Sequence, residues 1–268
     1  MAELTARKVR FEFPDELDDV FPGANIVDET YLVAFSLMMP YLEPYLIRTF
    51  RAAAERITDP VLAADVRVFI AQEAQHFQNH RRVNEMIKGQ LGTAAAAKVQ
   101  LIEDRVDGEY RRFTTKRSQR FNLVYAEGFE AMTCAMAMTF FERVGAGKGL
   151  GSDGRFGAWQ QLWAWHAAEE IEHRTVAFDV YEHFHGGWVY RLLGSLRAQW
   201  HFHRAVDRFQ RVLLASRGAP SRLQVPGWLR DGKQRYLRTF KPGYNPRSLV
   251  VDPLVAMVLA PYTPPEVD

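Results

Sequence analysis

A chain of 268 residues can bury a substantial core, and 47% hydrophobic with 25% charged residues is ordinary for a folded globular protein. Its 34 basic and 32 acidic residues leave a formal charge of +2, which excludes whole-chain electrostatic steering toward nucleic acid. The single cysteine, Cys134, excludes an intramolecular disulfide or a cysteine-rich zinc site and suits a reducing, cytoplasmic setting. Neither a secretion signal nor a run of about 18 uncharged apolar residues is visible, so no cleaved leader and no membrane-crossing helix are expected.

In chain order, residues 1–27 read as an irregular arm with one short extended piece over 9–13. A first helix is predicted over 29–57, carrying Glu43 on an apolar stripe and kinked at Pro40 and Pro44. The second starts from Asp59 as N-cap with Pro60 in its first turn and ends near Gly89. An alanine-rich helix over 93–116 has the character of a long connection between two halves of a bundle, and a third bundle helix follows over 119–144. The segment 145–154 is glycine-rich, but its Lys148 is followed by Gly149 and no strand precedes it, so it is a connector and not a phosphate loop. A fourth bundle helix is predicted over 154–185, a fifth helix over 188–216, and short helical pieces near 226–239 and 248–259. The chain is thus expected to be one all-α domain over 1–268: an arm (1–27), a four-helix bundle (28–187), and a C-terminal helix and tail packed on it (188–268).

Two Glu-x-x-His pairs, Glu73–His76 and Glu170–His173, sit on the second and fourth of these helices. Residues three apart share a helix face, so each pair is half a site that another helix must complete. His166 stands one turn before Glu170. At about 100° per residue, His166 and His173 lie within roughly 20° of one another and Glu170 about 40° away. Leu162, Trp163 and Ala177 accompany that stripe, while Phe69, Ile70 and Phe77 surround the other pair, so both face a core. Glu172 falls on the solvent side and Glu169 at the border of the stripe. Glu43 adds a third carboxylate. The helix over 119–144 adds a fourth, and periodicity alone does not choose between Glu127 and Glu130. His80, one turn after His76, is read as a neighbour of the site, His183 and His185 as helix-end residues, and Cys134 as a core filler. Four buried carboxylates repel one another and lose hydration, at several kcal/mol per ion; two divalent cations would neutralise them. A thiolate-free set of carboxylates and imidazoles favours iron or manganese and also accommodates zinc.

The series Glu43, Glu73-x-x-His76, Glu127, Glu170-x-x-His173 resembles the ferritin-like dinuclear iron carboxylate proteins. With His166 it is similar to the arylamine N-oxygenases, in which a third histidine joins the cluster. FEFPDELDDVFPGAN, IRTFRAA, FIAQEAQH and WAWHAAEEIEHRTVAFDVY resemble, over roughly residues 8–245, a bacterial family catalogued as predicted metal-dependent hydrolases. The resemblance implies a ferritin-like four-helix bundle with a long helical crossover and additional C-terminal helices. It also implies Glu127 as the fourth acid, with Glu130 one turn away. By the same analogy Glu169 orients His76 and Gln72 orients His173. Gly128, where that family carries histidine, is expected to open space beside the cluster.

The expected ligands are therefore Glu43, Glu73, His76, Glu127, His166, Glu170 and His173, with Gln72, Glu130, Glu169 and His80 around them. The expected chemistry is dioxygen activation at two metal ions, with an external electron donor, to oxidise a small or acyl substrate. Hydrolysis assisted by the same two ions is the alternative. Helix 188–216 is apolar at Trp188, Leu192, Leu196, Trp200 and Phe202 and basic at Arg191, Arg197, Arg204, Arg208 and Arg211. It is read as packed on the bundle with a solvated basic edge, and peripheral contact with anionic lipid is the second expectation. No nucleic-acid partner is expected, and a homodimer is compatible with the pattern.

Overall fold

The structure is a computed structural model, which describes residues 4–13, 25–147, 157–220, 222 and 225–263. Among these residues the regular elements are all helical: α1 (Ile26–Ala54), α2 (Pro60–Gln90), α3 (Thr93–Lys116), α4 (Gln119–Gly145), α5 (Ala158–Glu172), α6 (Val176–Phe184), α7 (Trp188–Ser216), α8 (Leu229–Arg238) and α9 (Leu254–Leu259), with two short 3₁₀ turns near the end. No strand forms over 9–13; instead Asn79 of α2 acts as a local ladder partner, accepting from Phe11 N–H and donating to the Val9 carbonyl. Of the glycine-rich connector, residues 148–154 lie outside the described part.

Local chemistry explains the starts. Asn25 and Asp59 accept backbone N–H bonds at the heads of α1 and α2, and Pro60 occupies a first-turn position whose N–H would otherwise be orphaned. α1 runs unbroken through Pro40 and Pro44. Pro40 has no N–H to offer the Ser36 carbonyl four residues back, and Asn84 of α2 supplies that bond from Nδ2 at 2.8 Å. A helix defect is thereby converted into a fixed contact between α1 and α2.

The single helix expected over 154–185 is two helices. α5 ends at Glu172, a turn spans His173 to Thr175, and α6 resumes at Val176. Neither glycine nor proline marks the break. The carbonyls it frees are re-used: Ile171 O accepts from Arg174 at 2.7 Å, and His173 O accepts from Val176 N–H at 3.0 Å. His173 therefore sits in a turn and not on a regular helix face.

α1, α2, α4 and the α5–α6 pair pack around a common interior, α3 lies across α1, and α7 packs on α4 and α1. One contiguous apolar core draws on the N-terminal arm and on α1 through α9. α7 approaches α4 closely at two glycines. A Cβ on Gly128 would lie 2.5 Å from the Ser195 Cα, and one on Gly194 would lie 2.4 Å from a Val124 methyl. Gly128 is thus filled by the passing helix and opens no space beside the cluster. Gly128→Ala is expected to destabilise the protein by about 1–3 kcal/mol, because the clash is with backbone and no side chain can yield. Gly194→Ala should be rescued by Val124→Ala, whereas Gly128→Ala should resist rescue by Ser195→Gly. Calorimetry of the four variants checks this, and full rescue of Gly128→Ala would contradict the backbone clash.

Candidate metal centre

Four carboxylates and three imidazoles meet inside the bundle. α1 supplies Glu43, α2 Glu73 and His76, α4 Glu130, α5 His166 and Glu170, and the turn after it His173; each is no more than 3% exposed. Two sets have ligand atoms mutually within 4.8 Å: Glu73, His76, Glu170 and His173, and Glu43, His76 and His166. Glu130 lies beside the first set, with Oε2 3.0 Å from His173 Nδ1. His173 Nε2 is 3.5 Å from Glu73, and His166 Nε2 is 2.9 Å from Glu170 and 3.7 Å from Glu43.

These donors fit metal ions because the protein leaves them unsatisfied. Both oxygens of Glu43, Glu73 and Glu130, Oε2 of Glu170, Nδ1 of His76 and both ring nitrogens of His173 are buried without a hydrogen bond. Buried polar atoms are ordinarily paired, and a cluster of bare carboxylate oxygens and imidazole nitrogens aimed at one another calls for cations between them. Without cations the electrostatics is frustrated. Burial and the neighbouring carboxylates hold the Glu43 and Glu130 carboxyls well above the usual range, and Glu73 is raised as well, chiefly by burial. Glu170 goes the other way. Burial opposes its ionisation, yet the His173 and His166 imidazoles pull its pKa down to about 2.

The histidines are set from behind. His76 turns Nε2 to Glu169 Oε2 at 3.0 Å, which leaves Nδ1 facing Glu73 and Glu170. Burial works against a proton on His76, but Glu169 and Glu73 outweigh it and raise its pKa well above that of a free imidazole. Glu169 is itself held by Arg7 of the N-terminal arm, whose guanidinium also grips Glu172 at 2.7 and 2.9 Å. Glu172 is therefore turned inward onto Arg7 and not solvated. Gln72 donates to Glu172 and to the Thr5 carbonyl, so it braces the arm and does not orient His173.

His166 is fixed by a directional chain. Asn84 donates through Nδ2 to the Ser36 carbonyl, so its Oδ1 accepts from the Ser36 hydroxyl at 2.6 Å. Having spent its only proton, Ser36 Oγ accepts from His80 Nδ1–H at 2.8 Å. Burial, and then the neighbouring imidazoles, hold His80 neutral by lowering its pKa well below that of free imidazole. Its Nε2 is consequently bare and accepts from His166 Nδ1–H at 2.8 Å. Burial and His76 lower the His166 pKa to about 4 against the pull of Glu170, and with Nδ1 committed to His80 it is Nε2 that faces Glu170 and Glu43. Nε2 lies 2.9 Å from Glu170, close enough for a proton or a shared cation to join the two, so His166 is placed as a ligand.

Glu127 is elsewhere. Arg191 of α7 bonds its Oε1 at 3.1 Å and Ser195 its Oε2 at 3.3 Å, so it has partners where Glu130 has none. Burial pushes its carboxyl up to about 7 against the pull of Arg191 and Ser195. The structure therefore brings Glu43, Glu73, His76, His166, Glu170 and His173 together with Glu130, sets His80 and Glu169 behind two of the imidazoles, and holds Glu127 and Gln72 apart. Cys134, a turn beyond Glu130, is a neutral thiol whose pKa burial raises to about 12. Sequence reasoning missed Ser36, Asn84, Arg7, Arg191 and Ser195. Of these Asn84 carried a signal, standing one helical turn beyond His80 on the same face, and so did Ser36, two turns before Glu43 on its stripe.

A buried carboxylate–imidazole cluster able to hold metal thus defines the kind of protein this is. The chain belongs to the family described as predicted metal-dependent hydrolase, whose model matches residues 5–249. No match was found among curated proteins or among solved structures.

Proposed function

We propose that the cluster holds two divalent metal ions and that the protein is an oxidoreductase that activates dioxygen to oxidise a small or acyl substrate with electrons from an external donor. The observation that carries the proposal is the set of unsatisfied buried donors: four carboxylates balance two dications, and the donors are nitrogen and oxygen without thiolate. Iron suits this set best, with manganese and zinc accommodated. Glu43, Glu73, His76, Glu130, His166, Glu170 and His173 would be the ligands. Bound there, the ions would supply Lewis acidity and, as iron or manganese, the electrons that dioxygen reduction draws on.

The chain's own part is to orient and to exclude water. Glu169 and the Ser36–His80 chain each hold one ring nitrogen of a histidine so that the other faces the cluster. Trp165 stands edge-on to His76, Phe69 edge-on to His173, and Trp163 stacks on His166, so the imidazoles are walled by aromatic rings. Such a dry, aromatic-walled enclosure favours dioxygen chemistry over a reaction whose nucleophile is water. Hydrolysis of an ester, amide or phosphate is the second reading, favoured by the family's description.

Exposure of anaerobic, fully ferrous-loaded protein to dioxygen separates them. The oxidoreductase reading expects dioxygen uptake with a transient visible absorption. Optical silence with no uptake, together with anaerobic turnover of a model ester or phosphate by the zinc or manganese form, would establish the hydrolase instead.

A further inference from the structure

α7 shows opposite characters on its two faces. Inward it presents Arg191 and Ser195 to Glu127, and Ala198, Phe202 and Phe209 to the core. Arg191, expected on the solvated basic edge, is therefore internal, whereas Trp188, Leu196 and Trp200, expected to pack on the bundle with Phe202, are exposed. Outward, Val189, Leu193, Leu196 and Trp200 form a continuous stripe, with exposures of 58%, 59%, 49% and 56%. Their spacing of four, three and four residues keeps them on one side of the helix over roughly 16 Å. Trp188, 40% exposed, stands at the head of the helix to one side of the stripe, tied by its indole N–H to the Phe240 carbonyl, and exposed Leu237 lies on α8 just before that anchor.

The charges bordering this stripe have one sign. Arg197 and Arg204 are exposed, both guanidiniums lie over the Trp200 ring at 5.9 and 5.2 Å, and neither has a carboxylate partner among the described residues. Arg208, the next turn on, makes no ion pair among the described residues, though Glu109 and Asp207 lie near enough to act on it. The nearby acids are already engaged: Asp207, the sole acid of α7, pairs with Arg211, and Glu109 of α3 pairs with Arg105 and His201. A solvated helix face needs no stripe of four large apolar side chains. Docking of a second copy through this stripe would bring two unpaired sets of Arg197 and Arg204 into one interface, where the sole acid of α7 is already paired. An anionic bilayer surface matches both features, taking apolar and tryptophan side chains at the acyl boundary and guanidiniums among the phosphates. No helix among the described residues is long and apolar enough to cross a membrane, so the contact is one of lying on the surface.

We infer that the outer face of α7 docks the protein peripherally on anionic lipid bilayers through Val189, Leu193, Leu196 and Trp200, with Arg197 and Arg204 as the headgroup contacts. The inference is independent of the reaction the metal centre performs.

Co-sedimentation of the full metal-loaded chain with phosphatidylcholine vesicles, with and without phosphatidylserine, tests it. Binding is expected only to the phosphatidylserine vesicles and is expected to be lost in high salt. Each arginine near the surface is worth about fivefold in partitioning, so Arg197→Glu/Arg204→Glu should weaken binding by at least about twenty-fold. Leu193→Ser/Trp200→Ser should weaken it comparably, with unchanged circular dichroism and metal content showing that the bundle is intact. Failure of the wild-type chain to bind phosphatidylserine vesicles at low salt would overturn the inference. So would binding indifferent to the paired variants, or a wild-type dimer that Leu193→Ser/Trp200→Ser converts to monomers without any vesicle binding.

Discussion

Glu130→Gln is expected to lower the affinity for the metal ion beside His173 by about a hundredfold or more, whereas Glu127→Gln should leave metal content unchanged and cost stability instead. Loss of even an indirect support of a metal ligand commonly costs 10–100-fold, and Glu130 would supply an oxygen directly. Its two oxygens are buried and unbonded, and one lies 3.0 Å from His173. Glu127 spends its oxygens on Arg191 and Ser195. A carboxyl with a pKa of about 7 is half protonated at neutral pH and glutamine keeps one acceptor, so weakening this buried contact should cost about 1–3 kcal/mol. That corresponds to a fall in Tm of roughly 2–12 °C for a chain of this size. Metal analysis after chelator competition, paired with calorimetry, reads both effects. A Glu127→Gln protein that loses metal while Glu130→Gln keeps it would reverse the assignment of the fourth carboxylate.

Why the sequence leaves that choice open is instructive. Glu127 and Glu130 are three residues apart on one apolar face of α4, so periodicity treats them alike. What separates them is α7, which crosses at Gly128 and brings Arg191 and Ser195 to Glu127 from more than sixty residues away. No local pattern encodes that crossing. By contrast, Glu73–His76 and Glu170–His173 were legible because the i, i+3 spacing is a property of the helix itself, and His166 because it extends one stripe. The helix boundaries set by Asp59–Pro60 and by the alanine-rich α3 were legible for the same local reason. The turn at His173 was not, since its residues carry no helix breaker. Nor was Arg7, whose partners Glu169 and Glu172 lie some 160 residues along the chain. Short-range chemistry writes the half-sites, and the long-range packing that completes and braces them becomes visible only in three dimensions.

Removing the metal should be the largest single perturbation of this fold. An ion held at about a thousand times its Kd stabilises the folded state by about 4 kcal/mol, so stripping two is expected to cost about 8 kcal/mol and lower Tm by roughly 15–30 °C. The loss should deepen with pH. In the metal-free protein Glu43, Glu73 and Glu130 have folded pKa values raised above the ordinary 4.5, and His76 is raised above 6.5. Groups raised in the folded state favour folding at low pH and withdraw that support as pH climbs through their folded values. His80, His166 and Glu170 are lowered and act with the opposite sign, but their windows lie below about 6.5, where the unfolded imidazoles and carboxylates titrate. Above that pH nothing among these groups opposes the trend. Bound dications would take the place of those protons, so between pH 6.5 and 8 the Tm of the metal-free protein should fall more steeply than that of the loaded protein, in which groups outside the cluster such as Glu127 still titrate. Loading at neutral pH should accordingly release protons, which calorimetric titration in buffers of different ionisation enthalpy measures. Equal pH dependence of the two forms, or loading without proton release, would mean that the cluster's carboxyls are not the groups the metal displaces protons from.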